Sequence, residues 1–337
     1  MSTLYLTYHS RSLCLENQAL IVETEDESKN RLRTRILLRD ISRIVVAGSP
    51  NITLPVLKAL CRAQIPLILV TARGRWIGEL SGVISNNAAR RIAQYDWALR
   101  KNEGAQRFAA PLVSAKIANQ RHVLRRLANR YGTECAHPLA QLKTLRGMLS
   151  QAKSADQIRG IEGLAAAEYF RALDAFFPKT MPFVERSRRP PKNGANALLS
   201  FSYVIVLAEV ESALRLHGLD PAIGFLHSLE PGRSSLALDL LEPFRPSVDA
   251  FVLSLLNRKI FQEKDFRFSA EDCGTYLEED SHAKFFEHYE KAICRRFTFG
   301  ESETQIHMRS AIDWQVCRYL QALADDNSEP EFFRIPQ

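Results

Sequence analysis

The chain has 337 residues, 46% apolar and 25% charged, the composition of a globular protein with room for one large domain or two ordinary ones, and not that of a disordered or fibrous chain. Its cysteines (Cys14, Cys61, Cys135, Cys273, Cys294 and Cys317) include no C-x-x-C pair and no Cys/His cluster at zinc-finger spacing, which argues against a zinc knuckle or a disulfide framework and leaves reduced, mostly buried thiols. The formal net charge is +7, no run of about 18 apolar residues reads as a membrane span, and residues 1–5 do not read as a signal peptide, so the expectation is a cytoplasmic protein with no membrane partner.

Residues 3–8, 12–15 and 19–24 alternate between turn signals and predict three short strands. The polar run 25–33 predicts a hairpin or loop, and residues 35–39 and 43–47 two more strands. Residues 54–64 put Leu54, Val56, Leu57, Leu60 and Cys61 on one helical face. Residues 65–70 read as a buried strand, 73–75 as a turn and 76–80 as a last strand. Strand signals nearly vanish after residue 82. The expectation is a small, mostly β domain over 1–82, a hinge at 83–86 and a helical domain over 87–337.

Helices are predicted over 87–101, with Arg90, Arg91 and Arg100, and over 109–131, with Lys116, Arg121, Arg125, Arg126 and Arg130. Between Ser81 and Arg130 lie ten Lys/Arg and two acids, a band that suits a polyanion, with a set of solvated helix faces as the plainer alternative. Further helices are expected over 138–153 and 155–170, the second capped by Ser154. Gly160 and Gly163 flank Glu162 in that helix. Glycine inside a helix costs about 1 kcal/mol against alanine, so two of them beside one carboxylate suggest close approach of a backbone or a ligand. The alternative is tight helix packing with Glu162 facing solvent. Residues 183–193 hold Pro190, Pro191, Arg186, Arg188, Arg189 and Lys192 and read as an exposed loop. Residues 196–217 form a strongly apolar helix stopped by His217-Gly218. Helices at 248–261, 282–297 and 304–324 close the chain, with polar connections over 266–279.

The chemistry concentrates in residues 224–246. His227 is followed by the Gly232-Arg233 turn, by Ser234 or Ser235 as a helix cap, and by Asp239 and Glu242, three apart and so on one helical face. Pro243 and Pro246 should kink or restart that helix just past Glu242. A histidine with two carboxylates outlines a hard-cation site. His122, His217 and His288 read as surface or core histidines.

Four stretches can then be read together: I-R-G-I-E-G-L-A-A-A-E-Y-F at 158–170, N-A-L-L-S-F-S-Y at 196–203, G-L-D-P-A-I-G-F-L-H at 218–227 and D-L-L-E-P-F-R-P at 239–246. In content, order and spacing they resemble the CRISPR-associated integrase of spacer acquisition, the Cas-one family, over essentially the whole chain. The resemblance implies an α+β chain: an N-terminal β domain of two packed sheets with one helix, used for dimerisation, and a larger all-α catalytic domain. It implies a metal-dependent DNA endonuclease and integrase that captures a prespacer duplex and joins its 3′ ends to the CRISPR repeat by transesterification. Its partners would be DNA, a second copy of itself and the small dimeric Cas-two protein. Mg2+ or Mn2+ would be held by Glu162, His227 and Glu242, with Asp239 a supporting or alternative ligand. Arg233 and Arg245 would grip a phosphate or neutralise the acids. Arg186, Arg188, Arg189, Arg121, Arg125 and Arg126 would meet DNA. Two other readings compete: a stand-alone transposase or repair nuclease acting on branched DNA through the same site, and a basic DNA-binding scaffold without catalysis.

Overall fold

Alternating apolar residues build two four-stranded sheets from the first 80 residues, as a computed structural model describes for residues 2–25, 30–71, 76–82, 87–100, 102–300 and 304–336. The turn expected at 73–75 and the hinge expected at 83–86 lie outside the described residues, as does the centre of the 25–33 segment. The strands are β1 (Ser2–Leu6), β2 (Ser10–Glu16), β3 (Ala19–Glu25), β4 (Arg31–Leu37), β5 (Ile41–Val46), β6 (Asn51–Ile52), β7 (Leu67–Val70) and β8 (Trp76–Leu80), with helix α1 (Leu54–Arg62) between β6 and β7. One sheet has the order β1-β5-β7-β8, parallel except for β8. The other has the order β4-β3-β2-β6, antiparallel except for β6.

Side chains alternate across a strand, so one sheet can serve two cores. Ile44 and Val46 of β5 join Leu13, Leu20, Val56 and Leu60 in a core between the sheets and α1. Val45 and Ala47, the alternate residues, join Ile68 and Val70 of the same sheet in the core of the helical region.

That region contains α2 (Ala88–Leu99), α3 (Asn102–Gly104), α4 (Ala110–Tyr131), α5 (Ala136–Met148), α6 (Ala155–Asp174), α7 (Gly194–Leu216), α8 (Ser235–Leu241) and α9 (Arg245–Asn257), then α10 (Ser281–Ile293) and α11 (Met308–Ala324). Ser154 caps α6 as expected, accepting from the Gln157 N–H at 3.3 Å. Ser234 holds the cap position of α8 with no side-chain bond, while the Ser235 hydroxyl donates to the Ser228 carbonyl at 2.8 Å. Pro243 and Pro246 act as the sequence suggests: α8 ends at Leu241, one 3-10 turn spans Glu242–Phe244, and α9 starts at Arg245.

The expectation of an all-α region needs correction. Residues 266–279, read as polar connections, contain the hairpin β9 (Phe266–Ser269) and β10 (Gly274–Leu277). A second hairpin, β11 (Arg296–Phe299) and β12 (Thr304–His307), precedes α11. The N-terminal strands and helical remainder make the chain mixed α+β. Among the described residues, α7 alone is long and apolar enough to cross a bilayer, but 83% of its apolar window is buried within the fold, where it serves as the central core helix.

Candidate functional site

Three segments converge on the acids: α4, α6, and the loop 217–234 with the α8–α9 junction that follows it. The loop is pinned at several points. The Arg159 guanidinium on α6 donates to the Leu226 carbonyl at 2.9 Å, and the Leu236 N–H donates to the Pro221 carbonyl at 2.8 Å. Gly224 permits the closest approach, since a Cβ there would lie 2.6 Å from Asp239 Oδ2 and 2.7 Å from the Ser235 backbone.

Asp239, 2% exposed, is turned into this loop. Its Oδ2 accepts the backbone N–H groups of Phe225 at 2.6 Å and Leu226 at 2.9 Å. Its Oδ1 accepts the backbone N–H of His227 at 2.9 Å and contacts His227 Nδ1 at 2.7 Å. A carboxylate oxygen can only accept, so Nδ1 carries a proton, and in the neutral ring Nε2 is the nitrogen with a lone pair. That Nε2 lies 3.9 Å from Glu242 Oε1.

Glu242, 3% exposed, meets a different set of partners from Asp239. Arg245 Nε donates to its Oε1 at 2.7 Å, and Lys116 Nζ lies 2.5 Å from its Oε2. Lys116 also bonds Glu162 Oε1 on α6, so one ammonium bridges the two carboxylates. Burial alone would raise the Glu242 carboxyl, but Arg245, Lys116 and His227 outweigh it and hold that carboxyl well below its ordinary range. Burial pulls Lys116 down, and Glu242 and Glu162 more than reverse this. Glu162 is the open member of the set: its side chain is 23% exposed against 5% for Glu242. Asp239 and Glu242, expected on one face of one helix, therefore have separate tasks because the helix breaks between them.

Behind Glu242, the Arg245 guanidinium lies 4.5 Å over the Tyr203 ring, and the Tyr203 hydroxyl donates to Asp249. Burial pushes Asp249 up to about 6, with Tyr203, Arg186 and Arg245 pulling the other way. Arg186 completes this layer. Its guanidinium donates to Asn196 Oδ1 at 2.8 Å and Ser200 Oγ at 3.1 Å and lies 5.5 Å from the Tyr203 ring. Arg186, expected on an exposed loop to meet DNA, is thus turned inward, whereas Arg188 and Arg189 are exposed. Arg233 sits on the rim, paired with Glu230 at 2.8 Å.

The basic band thins once its partners are seen. Arg90 and Arg91 donate to the carbonyls of His217 and Gly218, and Arg107 to those of Ala322, Asp325, Asp326 and Ser328. Arg121 donates to the Leu139 carbonyl at 3.2 Å, and Lys116 is committed to the acids. Arg125 and Arg126 remain exposed on α4. Burial and neighbouring positive charge lower Arg121 (by Arg125) and Arg146 (by Arg334 and Arg121), which marks a cationic patch contributed by α4, α5 and the C-terminal segment.

Sequence reasoning missed Lys116 as a site residue and counted it in the band. Its signal was there: Leu112, Val113, Lys116, Ile117, Gln120 and Leu124 fall on one helical face, which puts a lysine on the buried side. Gly160 and Gly163 do not mark tight packing, since no atom lies within 4 Å of a Cβ built on either. His217 is tied to Asp313 at 2.8 Å on α11. A cleft of about 700 Å3 lies elsewhere, between β1 and α10, lined by Tyr5, Phe286, Glu290 and Cys294 among others.

The family model "CRISPR associated protein Cas1" matches residues 4–291. A CRISPR-associated endonuclease Cas1 of Thermodesulfovibrio yellowstonii is 34% identical over 280 residues, 82% of this chain and 87% of that protein. A Cas4 exonuclease/Cas1 endonuclease fusion of Rhodospirillum rubrum is 36% identical over 311 residues, 89% of this chain and 52% of the fusion. Among solved structures, a Cas1 protein of Thermotoga maritima superposes with a TM-score of 0.80 at 26% identity, covering 99% of this chain and 100% of that one. A casposase bound to its integration product gives 0.85 at 24% identity, covering 100% and 96%. A Cas6-RT-Cas1–Cas2 complex gives 0.78 at 24% identity, covering 100% of this chain and 36% of the other; at this identity both show the fold alone.

Proposed function

The chain belongs to the Cas1 family of CRISPR-associated endonucleases, and from that premise we propose that it is a metal-dependent DNA integrase which joins the 3′ ends of a captured duplex to a CRISPR repeat. The observation that carries this reading is the convergence of Glu162, Glu242 and the free Nε2 of His227 around a position now bridged by a cation, the Lys116 ammonium.

The donor set fits Mg2+ or Mn2+: two carboxylates suit either ion, and the imidazole tilts the choice toward Mn2+. Glu162, Glu242 and His227 would hold the ion. Asp239, with both oxygens engaged by the 225–227 backbone and the His227 ring, serves as the residue that orients His227. A divalent ion there supplies charge stabilisation at the phosphate oxygens and acidifies a hydroxyl. Joining exchanges one phosphodiester for another. The 3′ oxygen of the captured strand bonds to a repeat phosphorus, the phosphorus bond to the displaced 3′ oxygen breaks, and the hydroxyl proton ends on that oxygen. Arg245 and Lys116 keep Glu242 ionised, and ionised carboxylates are what a cation site requires. Arg188, Arg189 and Arg233 at the rim, with Arg125 and Arg126 along α4, supply cations for phosphates without reading bases. A homodimer assembled with Cas2 is the proposed working form, in keeping with the Cas1–Cas2 complex that shares this fold.

Joining of a duplex to a repeat substrate in Mn2+ is the test. Glu162→Ala should abolish joining while the melting curve keeps its wild-type shape. Asp239→Asn should raise the half-saturating Mn2+ concentration about 10- to 100-fold, through loss of His227 orientation. Wild-type joining by Glu162→Ala would refute the site, and joining without added Cas2 or a repeat would favour the stand-alone transposase.

A further inference from the structure

Lys116 is a cation buried at the heart of the proposed metal site, its side chain 6% exposed and touching both Glu162 and Glu242. On the proposed reading of that site, we infer that Lys116 is a built-in counter-ion which competes with the divalent ion for the two carboxylates and so ties metal loading to the arrival of a phosphodiester.

The argument is one of charge. The groups that meet at the site are the carboxylates Glu162, Glu242 and Asp239 and the cations Lys116 and Arg245. In the metal-bound state His227 counts as a neutral ring, since Nδ1 faces Asp239 and an Nε2 that ligates a metal carries no proton. Asp249, one layer back, has Arg186 as its own counter-charge beside Tyr203. Three carboxylates against two cations leave one negative charge, and three backbone N–H groups point at Asp239 without changing that count. A divalent ion added here turns the balance to one uncompensated positive charge in a largely buried site, which is costly. One phosphodiester carries the single negative charge that restores it. Without Lys116 the arithmetic changes: the three carboxylates and Arg245 leave two negative charges, which a divalent ion cancels alone. Lys116 thus makes the metal weak on the free protein and strong on the DNA-bound one, and by linkage makes DNA binding respond to the metal by the same factor.

The alternative is that Lys116 only spaces the carboxylates. Mn2+ titrations followed by electron paramagnetic resonance distinguish the two, on full-length wild type, Lys116→Met, Lys116→Arg and Glu162→Gln, with and without a duplex ending in 3′-deoxynucleotides. Lys116→Met should bind Mn2+ about tenfold tighter than wild type without DNA. The duplex should tighten Mn2+ binding about tenfold in wild type and Lys116→Arg, and by only a small fraction of that in Lys116→Met. The melting temperature of Lys116→Met should be low without metal and recover with Mn2+, because buried Glu242 and its neighbour Glu162 lose their shared ammonium. Mn2+ binding to Lys116→Met that is equal to or weaker than wild type, or an equal effect of DNA on both, overturns the inference. Glu162→Gln separates the two levels: if it binds Mn2+ as wild type does, the metal site itself is wrong, and if it loses Mn2+ while Lys116→Met is unchanged, only the role of Lys116 falls.

Discussion

Asp239 accepts three backbone N–H groups and an imidazole, whereas Glu242, three residues on, meets only side-chain cations, so what surrounds each carboxylate decides which is left for a metal. Surroundings also decide the fate of His282, fully buried against Phe201 at 5.0 Å with neither ring nitrogen hydrogen-bonded. Burial, helped by Arg267, lowers it from 6.5 to about 4. A histidine depressed on folding stabilises the fold above its unfolded value of 6.5 and loses that contribution as pH falls through about 4. The melting temperature of wild type should therefore fall between pH 6.5 and 4, and His282→Leu should flatten that fall, a difference of up to about 3 kcal/mol. Parallel curves for the two proteins would exclude His282 as the acid-sensitive group. The residue types at the site were legible because Glu162, His227, Asp239 and Glu242 lie in distinctive strings. The division of labour between Asp239 and Glu242 was not, since it depends on which backbone N–H groups a folded loop turns inward, and Lys116 was hidden by the habit of reading lysines as surface charge.

Among the elements, α4 is two-sided. Its inner face carries Lys116 into the acids and Asn119 to the carbonyls of Pro243 and Phe333, while its outer face ends in exposed Arg125 and Arg126. Those two arginines, with Arg130 exposed further along the helix, are what the described α4 leaves to meet a polyanion. Reversing both, Arg125→Glu with Arg126→Glu, should weaken duplex binding alike across DNA sequences and shallow the slope of log affinity against log salt by about 2. Unchanged affinity in filter binding would leave them a solvated face. Long elements such as α4, α6 and α7 were legible because their periodic faces run for five turns or more. The two C-terminal hairpins were not: β9 to β12 have four residues each, too few to establish a period of two.

Across the molecule, the sheet β1-β5-β7-β8 is fastened to the helices by charge as well as by its apolar face. Arg43 on β5 pairs with Glu209 on α7. Glu209 also takes Arg309 on α11 at 3.0 Å, Arg309 reaches Glu290 on α10 at 3.0 Å, and Glu290 accepts the Tyr5 hydroxyl of β1 at 2.9 Å. Arg215 adds a second tie, to Glu79 on β8 at 3.1 Å. Glu209 is 4% exposed, so Glu209→Gln would leave Arg43 without its anion and should cost about 3 to 5 kcal/mol, read as a lower melting temperature. An unchanged transition would show that apolar packing alone carries the junction.

Gly160 and Gly163 stand on the exposed side of α6, two residues before and one residue after the open carboxylate, with room for a methyl group at both positions. Alanine there would stiffen the helix by about 1 kcal/mol at each position, through propensity and a less disordered unfolded chain. The helix thus runs below its attainable rigidity in the turn that carries Glu162. What the two absent side chains leave behind is a shallow strip of bare backbone on the exposed flank of α6, round the helix from Glu162.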